Sequence, residues 1–335
     1  MRRVVVLIII FTLLISIASI LPNGSADNGK KINVVATLEI FSYFAEEIGG
    51  SRVNVSYIVP QGEDIHSYSL TYGDMKKLQS ADLIILASSQ FFLIDRNIRE
   101  KVEGKEILDF EDYHAKLYPL GSFKRNVHGY WLYPPNALNI TRAIEKKLEE
   151  MDPASSAYYE DNFLKFEKNL ESTLRNVRNM AKNADLENKT ALLTVPGAFY
   201  VVKYLGISIE GTIVEGPHQF ISEKELSRVK KDIQNGKINF IVDVQSLQNS
   251  RSGQIAIQLS RETGVKIVYI DIFSTSNYTN LLLKDASILS YACYVNRYGN
   301  ESCSCDFYLI TSILLSIITV VLFIIAYDYR RELLK

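Results

Sequence analysis

The chain has 335 residues, with 37 Lys and Arg against 38 Asp and Glu, a formal net charge of −1 and 3 Cys. That balance excludes a protein that works by wrapping nucleic acid, which needs a basic surface. A hydrophobic content of 47% excludes a wholly disordered chain, and the few cysteines exclude a disulfide scaffold. At ~150 residues per domain the length predicts about two domains. The mean hydropathy of +0.02 is high for so charged a chain, so apolar sequence must be concentrated somewhere, and it lies at the two ends.

In chain order, Met1-Arg2-Arg3 precedes an apolar run over 4–21, the layout of a secretory signal. Residues 1–29 are therefore read as a signal peptide or signal anchor. From Lys30 onward short β-branched runs alternate with amphipathic stretches. Strands are predicted over 32–36, 53–58 and 83–87, with helices over 42–48, 71–79 and 137–151. The alternation predicts an N-terminal α/β lobe with a parallel sheet over 30–152. From 153 to 185 the pattern changes. Tyr159, Phe163, Phe166, Leu170, Leu174, Val177 and Met180 recur at three- and four-residue steps, one face of a helix of roughly 30 residues or about 45 Å. Pro153 suits its first turn and Asp152 its N-cap. Strands over 190–195, 238–244 and 265–270 with a helix over 223–235 predict a second α/β lobe, 186–298. The fold class expected is α/β: two parallel-sheet lobes joined by a long rigid helix.

At the far end, 307–327 contains no charged residue and as a helix is about 30 Å long, the thickness of a bilayer core. The tail 328–335 carries Arg330, Arg331 and Lys335, and positive charge beside a span marks the cytoplasmic side. The expectation is a membrane protein with one C-terminal span, a short cytoplasmic tail and an extracytoplasmic body. Asn-x-Ser/Thr sequences at Asn23, Asn54, Asn139, Asn188, Asn277 and Asn300 are compatible with export. Outside the cell Cys293 has Cys303 or Cys305 available as a disulfide partner.

The stretch from Asn33 to Leu86 carries a specific pattern. A strand and a helix ending in Ile48-Gly49-Gly50 lead to Val59-Pro60-Gln61-Gly62-Glu63-Asp64-Ile65-His66-Ser67-Tyr68, and a helix then leads to Ala81-Asp82-Leu83. This resembles the first lobe of the metal-binding (zinc or manganese type) solute-binding proteins of ABC importers. Asn126-Val127-His128-Gly129-Tyr130-Trp131-Leu132-Tyr133-Pro134 resembles the family's H-x-W-x-x-P segment with one residue added between His and Trp. Met151-Asp152-Pro153-Ala154, Pro196-Gly197-Ala198-Phe199 and Glu262-Thr263-Gly264 continue the likeness to about residue 290. The family fold is two α/β lobes on a long helix, with Zn²⁺ or Mn²⁺ held between them by four ligand positions.

The resemblance assigns two of those positions to His66 and His128, and imidazole nitrogen suits both metals. The other two fall on Pro196, which has no donor side chain, and near Thr275, a poor ligand. Three readings stay open. Other second-lobe residues complete the site, with His218, Glu215 and Asp271 as candidates because loops after the strands of an open α/β sheet face the cleft. Alternatively the site takes a chelated metal or an organic ligand, or the body is a tethered adhesion and interaction module with a degenerate site. On the first reading, the favoured one, the metal set is His66, His128, His218 and Asp271, the metal is cargo, and the partners are ABC permease and ATPase subunits. His114, in a charged stretch, is read as solvated. An enzyme is the contrasting class, but no H-E-x-x-H, G-x-S-x-G or phosphate loop is present.

Overall fold

The computed structural model describes residues 30–63, 65–216, 219–273 and 277–298, of which 294–298 by backbone alone. The expected spans at 1–29 and 307–327, the tail, and Cys303 and Cys305 lie outside the described residues. Among the described residues no helix is long and apolar enough to cross a membrane.

The first lobe opens with β1 (Ile32–Leu38), α1 (Glu39–Gly49) and β2 (Val53–Val59). It continues through α2 (Tyr72–Ser80), β3 (Leu83–Ile85), α3 (Leu93–Lys101) and β4 (Glu106–Leu108). The four strands pair in parallel in the order β2-β1-β3-β4. α2 starts on a capping box, in which Thr71 accepts from the Asp74 N–H while the Asp74 carboxylate accepts from the Thr71 N–H. A longer segment then leads to α4 (Pro134–Met151), which starts on a proline suited to a first helical turn.

α5 (Ser156–Asn183) is the long helix between the lobes. Tyr159, Phe163, Phe166, Leu170 and Val177 are buried along one face, each contributing about 2 kcal/mol by leaving water. This face packs on α1, α4 and, beyond them, α9 (Tyr278–Tyr298). Gly50 explains why α1 ends in two glycines: at φ 51 it sits against the Tyr158 hydroxyl, where any side chain would strike the ring. Asp152 does not cap α5, since a turn at Pro153–Ser155 intervenes; its carboxylate instead accepts from the Tyr159 hydroxyl at 3.0 Å.

In the second lobe, β5 (Thr190–Leu193), α6 (Phe199–Tyr204) and β6 (Ser208–Thr212) precede a small antiparallel hairpin of β7 (Val214–Gly216) and β8 (Gln219–Phe220). α7 (Glu223–Gln234), β9 (Phe240–Val244), α8 (Arg251–Thr263), β10 (Lys266–Ile270) and α9 complete it. Its main sheet is again parallel, ordered β10-β9-β5-β6. β9 is buried at every position, as a central strand covered on both faces must be.

One apolar core runs without a break from the first lobe through α5 into the inner face of the second-lobe sheet. A smaller cluster around Leu192, Ile213, Val229 and Ile241 lies under α7 and α8. Cys293 belongs to the large core. It is 5% exposed on α9 and, among the described residues, has no disulfide partner, so its side chain is part of the body's packing.

Candidate metal centre

Segments that follow the carboxyl ends of strands in the two lobes meet, as Gln61 after β2 does with Phe273 after β10, and such strand ends are where open α/β sheets bind ligands. His66 follows β2. Its loop leaves the strand through a turn in which the Glu63 N–H donates to the Pro60 carbonyl at 3.2 Å. It is anchored again at Tyr68, whose hydroxyl donates to Asp74 at 3.0 Å. His128 lies in the segment between β4 and α4. Gly129 takes φ 73 and starts the turn Tyr130–Leu132, which accommodates the residue added between His128 and Trp131. The buried Tyr130 hydroxyl donates to the Ala87 carbonyl at 2.7 Å and pins that turn to the end of β3.

These two loops bring the histidines together. The His66 and His128 rings lie 5.4 Å apart between centroids, inclined at 50°. Phe92 packs on both, at 5.6 Å from His66 and 6.5 Å from His128. Phe123 lies edge-on to His128 at 5.4 Å. His66 is solvent-exposed and His128 half-buried, so the pair is open to solvent on one side and backed by aromatic rings on the other.

Beside this pair, first-lobe side chains bond to second-lobe backbone. The Gln61 amide donates to the Phe273 carbonyl at 2.8 Å, and the Ser122 hydroxyl to the Glu215 carbonyl at 2.6 Å. The Asn126 amide donates to the Pro196 carbonyl at 2.9 Å. Gly129 faces Gly197 so closely that a Cβ on it would lie 2.6 Å from the Gly197 carbonyl oxygen. Pro196 is buried at the end of β5 and presents no side-chain donor.

Asp271, at the end of β10, is engaged by groups of its own lobe. Its carboxylate is 2.8 Å from the Lys284 ammonium and also accepts from the Phe273 N–H at 3.1 Å. The Lys284–Asp271 pair crosses from α9 to the strand end. Among the described residues no three His, Cys, Asp or Glu side chains converge as a metal set. Glu215, on β7, is half-buried, and burial followed by the charge of Glu225 raises its carboxyl above the ordinary range. His218 and Thr275 lie outside the described residues, and His114 is exposed in a left-handed turn. Asn126 and the aromatic backing are contacts of the histidine pair that residue type did not announce. The position of Asn126 two residues before His128 was the available signal.

Comparison with known proteins identifies the family and the fold. The profile of the family described as zinc-uptake complex component A, periplasmic, matches residues 34–292. The iron-binding protein YfeA of Yersinia pestis is 28% identical over 277 residues, covering 80% of this chain and 86% of YfeA. The manganese ABC transporter substrate-binding lipoprotein PsaA of Streptococcus mitis is 27% identical over 220 residues, 62% of this chain and 70% of PsaA. Among solved structures, the Cd-bound periplasmic metal binding protein of Candidatus Liberibacter asiaticus superposes with a TM-score of 0.67 at 21% identity, covering 78% of this chain and 100% of that one. The solute-binding protein FpvC of Pseudomonas aeruginosa, in complex with Mn²⁺, gives 0.68 at 16% identity, with 80% and 100% covered. At such identities the structural likeness establishes the fold. The sequence match over most of the body establishes more: the chain belongs to the zinc-uptake complex component A family, substrate-binding components of metal uptake and not enzymes.

Proposed function

We propose that this chain is a membrane-tethered, extracytoplasmic receptor that captures a divalent metal ion, Zn²⁺ or Mn²⁺, between its lobes and hands it to an ABC permease with its ATPase. The observation that carries the reading is the His66–His128 pair, two imidazoles whose ring centroids lie 5.4 Å apart beyond the carboxyl end of one sheet. Imidazole suits zinc and iron, and manganese where oxygen ligands complete the set, which fits the iron and manganese in the relatives' names. The tether is read from the uncharged segment 307–327 and the basic tail behind it.

Two imidazoles leave coordination positions to fill. The segment around Glu215 and His218 is the best source, because the Glu215 carbonyl accepts from Ser122 and the neighbouring Phe123 packs on His128. Asp271 is left to Lys284. An ion shared between lobes resists release until they separate, and the unbroken α5 with its packed face favours small lobe shifts over a wide hinge.

Calorimetric titration of the full chain with Zn²⁺ and with Mn²⁺ tests the reading. The wild type is expected to bind at least one ion, and the paired substitution His66→Ala plus His128→Ala to abolish binding. His218→Ala is expected to weaken it ~10–100-fold, and Asp271→Asn to leave it nearly unchanged. Affinity unaffected by the paired substitution would sink the proposal. A wild type that binds neither ion would transfer weight to a chelated metal or organic ligand, for which the Phe92, Phe123 and Trp131 rings offer an apolar lining, or to a tethered interaction module.

A further inference from the structure

We infer that Asn126 is a positioning residue: it fixes the tautomer and orientation of His128 so that Nε2 faces the metal, and it braces that histidine against the second lobe. The inference rests on the reading of His128 as a ligand.

Asn126 is 0% exposed, and its polar groups are engaged on every side. Its backbone N–H donates to the Tyr118 carbonyl at 2.8 Å, and its carbonyl accepts from the Tyr200 hydroxyl at 2.5 Å. Its side-chain Nδ2 donates to the Pro196 carbonyl at 2.9 Å. Its Oδ1 accepts from the His128 backbone N–H at 3.1 Å and lies 3.1 Å from His128 Nδ1.

The backbone partners determine the rest. A carbonyl only accepts, so the amide group facing Pro196 is the NH₂; a backbone N–H only donates, so the group facing His128 is the oxygen. That oxygen has no proton to give, so His128 Nδ1 carries the hydrogen. In the neutral ring the lone pair is then on Nε2, the one nitrogen left to hold a metal. A partner on the far nitrogen of a ligating histidine fixes the ring and typically governs 10–100-fold in metal affinity.

The same amide joins the lobes. At Pro196 the second lobe offers no side-chain ligand, and its carbonyl instead supports, through Asn126, a ligand that belongs to the first lobe. The contact is buried and uncharged, so it persists at high salt, unlike an exposed ion pair.

The test uses the full chain labelled with ¹⁵N at its four histidines, with His128 assigned through His128→Gln. Metal-free wild type at pH 8 is expected to show His128 as the Nδ1–H tautomer in ¹⁵N shifts and two-bond couplings. Asn126→Ala is expected to move it toward Nε2–H and to weaken Mn²⁺ or Zn²⁺ binding ~10–100-fold. Asn126→Asp keeps both acceptor contacts while losing the donor to Pro196, so it should retain the Nδ1–H tautomer even if Asn126→Ala folds poorly. An Nε2–H tautomer in the wild type, or a tautomer indifferent to Asn126→Ala, overturns the inference whatever the affinities. A wild type that binds neither ion yet shows the Nδ1–H tautomer, lost in Asn126→Ala, overturns the functional reading and leaves the positioning of His128 standing.

Discussion

Asp285 shows how much a single buried carboxyl can contribute to pH behaviour in this molecule. It lies on α9 at 1% exposure, accepts from the Asp271 N–H at 3.0 Å through Oδ1, and buries Oδ2 without a hydrogen-bond partner. Burial pushes its carboxyl up to about 7, against the opposing pull of that backbone hydrogen bond. The folded chain therefore holds a proton that the unfolded chain releases near 4, so folding takes up a proton between these values. Stability is greatest at the acid side of that window, falls as pH rises from about 4 to about 7, and levels off above. Asp95, likewise pushed up to about 7 by burial, acts in the same direction. Asp285→Asn keeps the acceptor for Asp271 and removes the ionisation. It should flatten part of the slope and raise stability at pH 8 by on the order of 2–4 kcal/mol. Urea unfolding at several pH values measures this, and an unchanged slope would show that the carboxyl is hydrated after all.

At the scale of elements, α5 is the member on which both lobes depend. Its inward face is a stripe of large apolar groups, and neighbours in sequence differ sharply in burial. Phe163 is 1% exposed with the Arg142 guanidinium 3.6 Å from its ring centroid, whereas Leu164 is 48% exposed. Phe163→Ala removes a full side chain from a packed site and should cost about 3–5 kcal/mol. Leu164→Ala leaves the core intact and should stay within about 0.5 kcal/mol of wild type. The urea midpoints of the two variants provide the comparison; equal losses would mean that the helix is rotated from the orientation described.

At the scale of the whole molecule, the lobes are separate sheets that share one core. Buried residues continue from the first lobe through α5 and α9 to β9 and β10. Tyr278, fully buried on α9, donates to the Leu132 carbonyl of the first lobe at 3.0 Å. Chains of this length often unfold domain by domain. Here the shared core predicts one transition, with the fluorescence of Trp131, the sole tryptophan, and far-UV circular dichroism changing together. Two resolved transitions would show that the lobes are independent folding units.

Much of this was legible in the residues because it is written locally. Period-two and period-3.6 patterns identified the α/β lobes and the face of α5, since side-chain direction repeats along each element. The motif around His66 and the segment around His128 identified the first-lobe pair. The short strand β4, the β7–β8 hairpin and α9 carried too weak a local pattern to be read. Tertiary structure alone decided the rest. It paired Asp271 with Lys284, buried Cys293 in the core and seated Asn126 between His128 and Pro196. Each of those outcomes depends on backbone groups or charges brought from distant segments. A residue's type states which bonds it can make, and only the folded chain determines which partners are within reach.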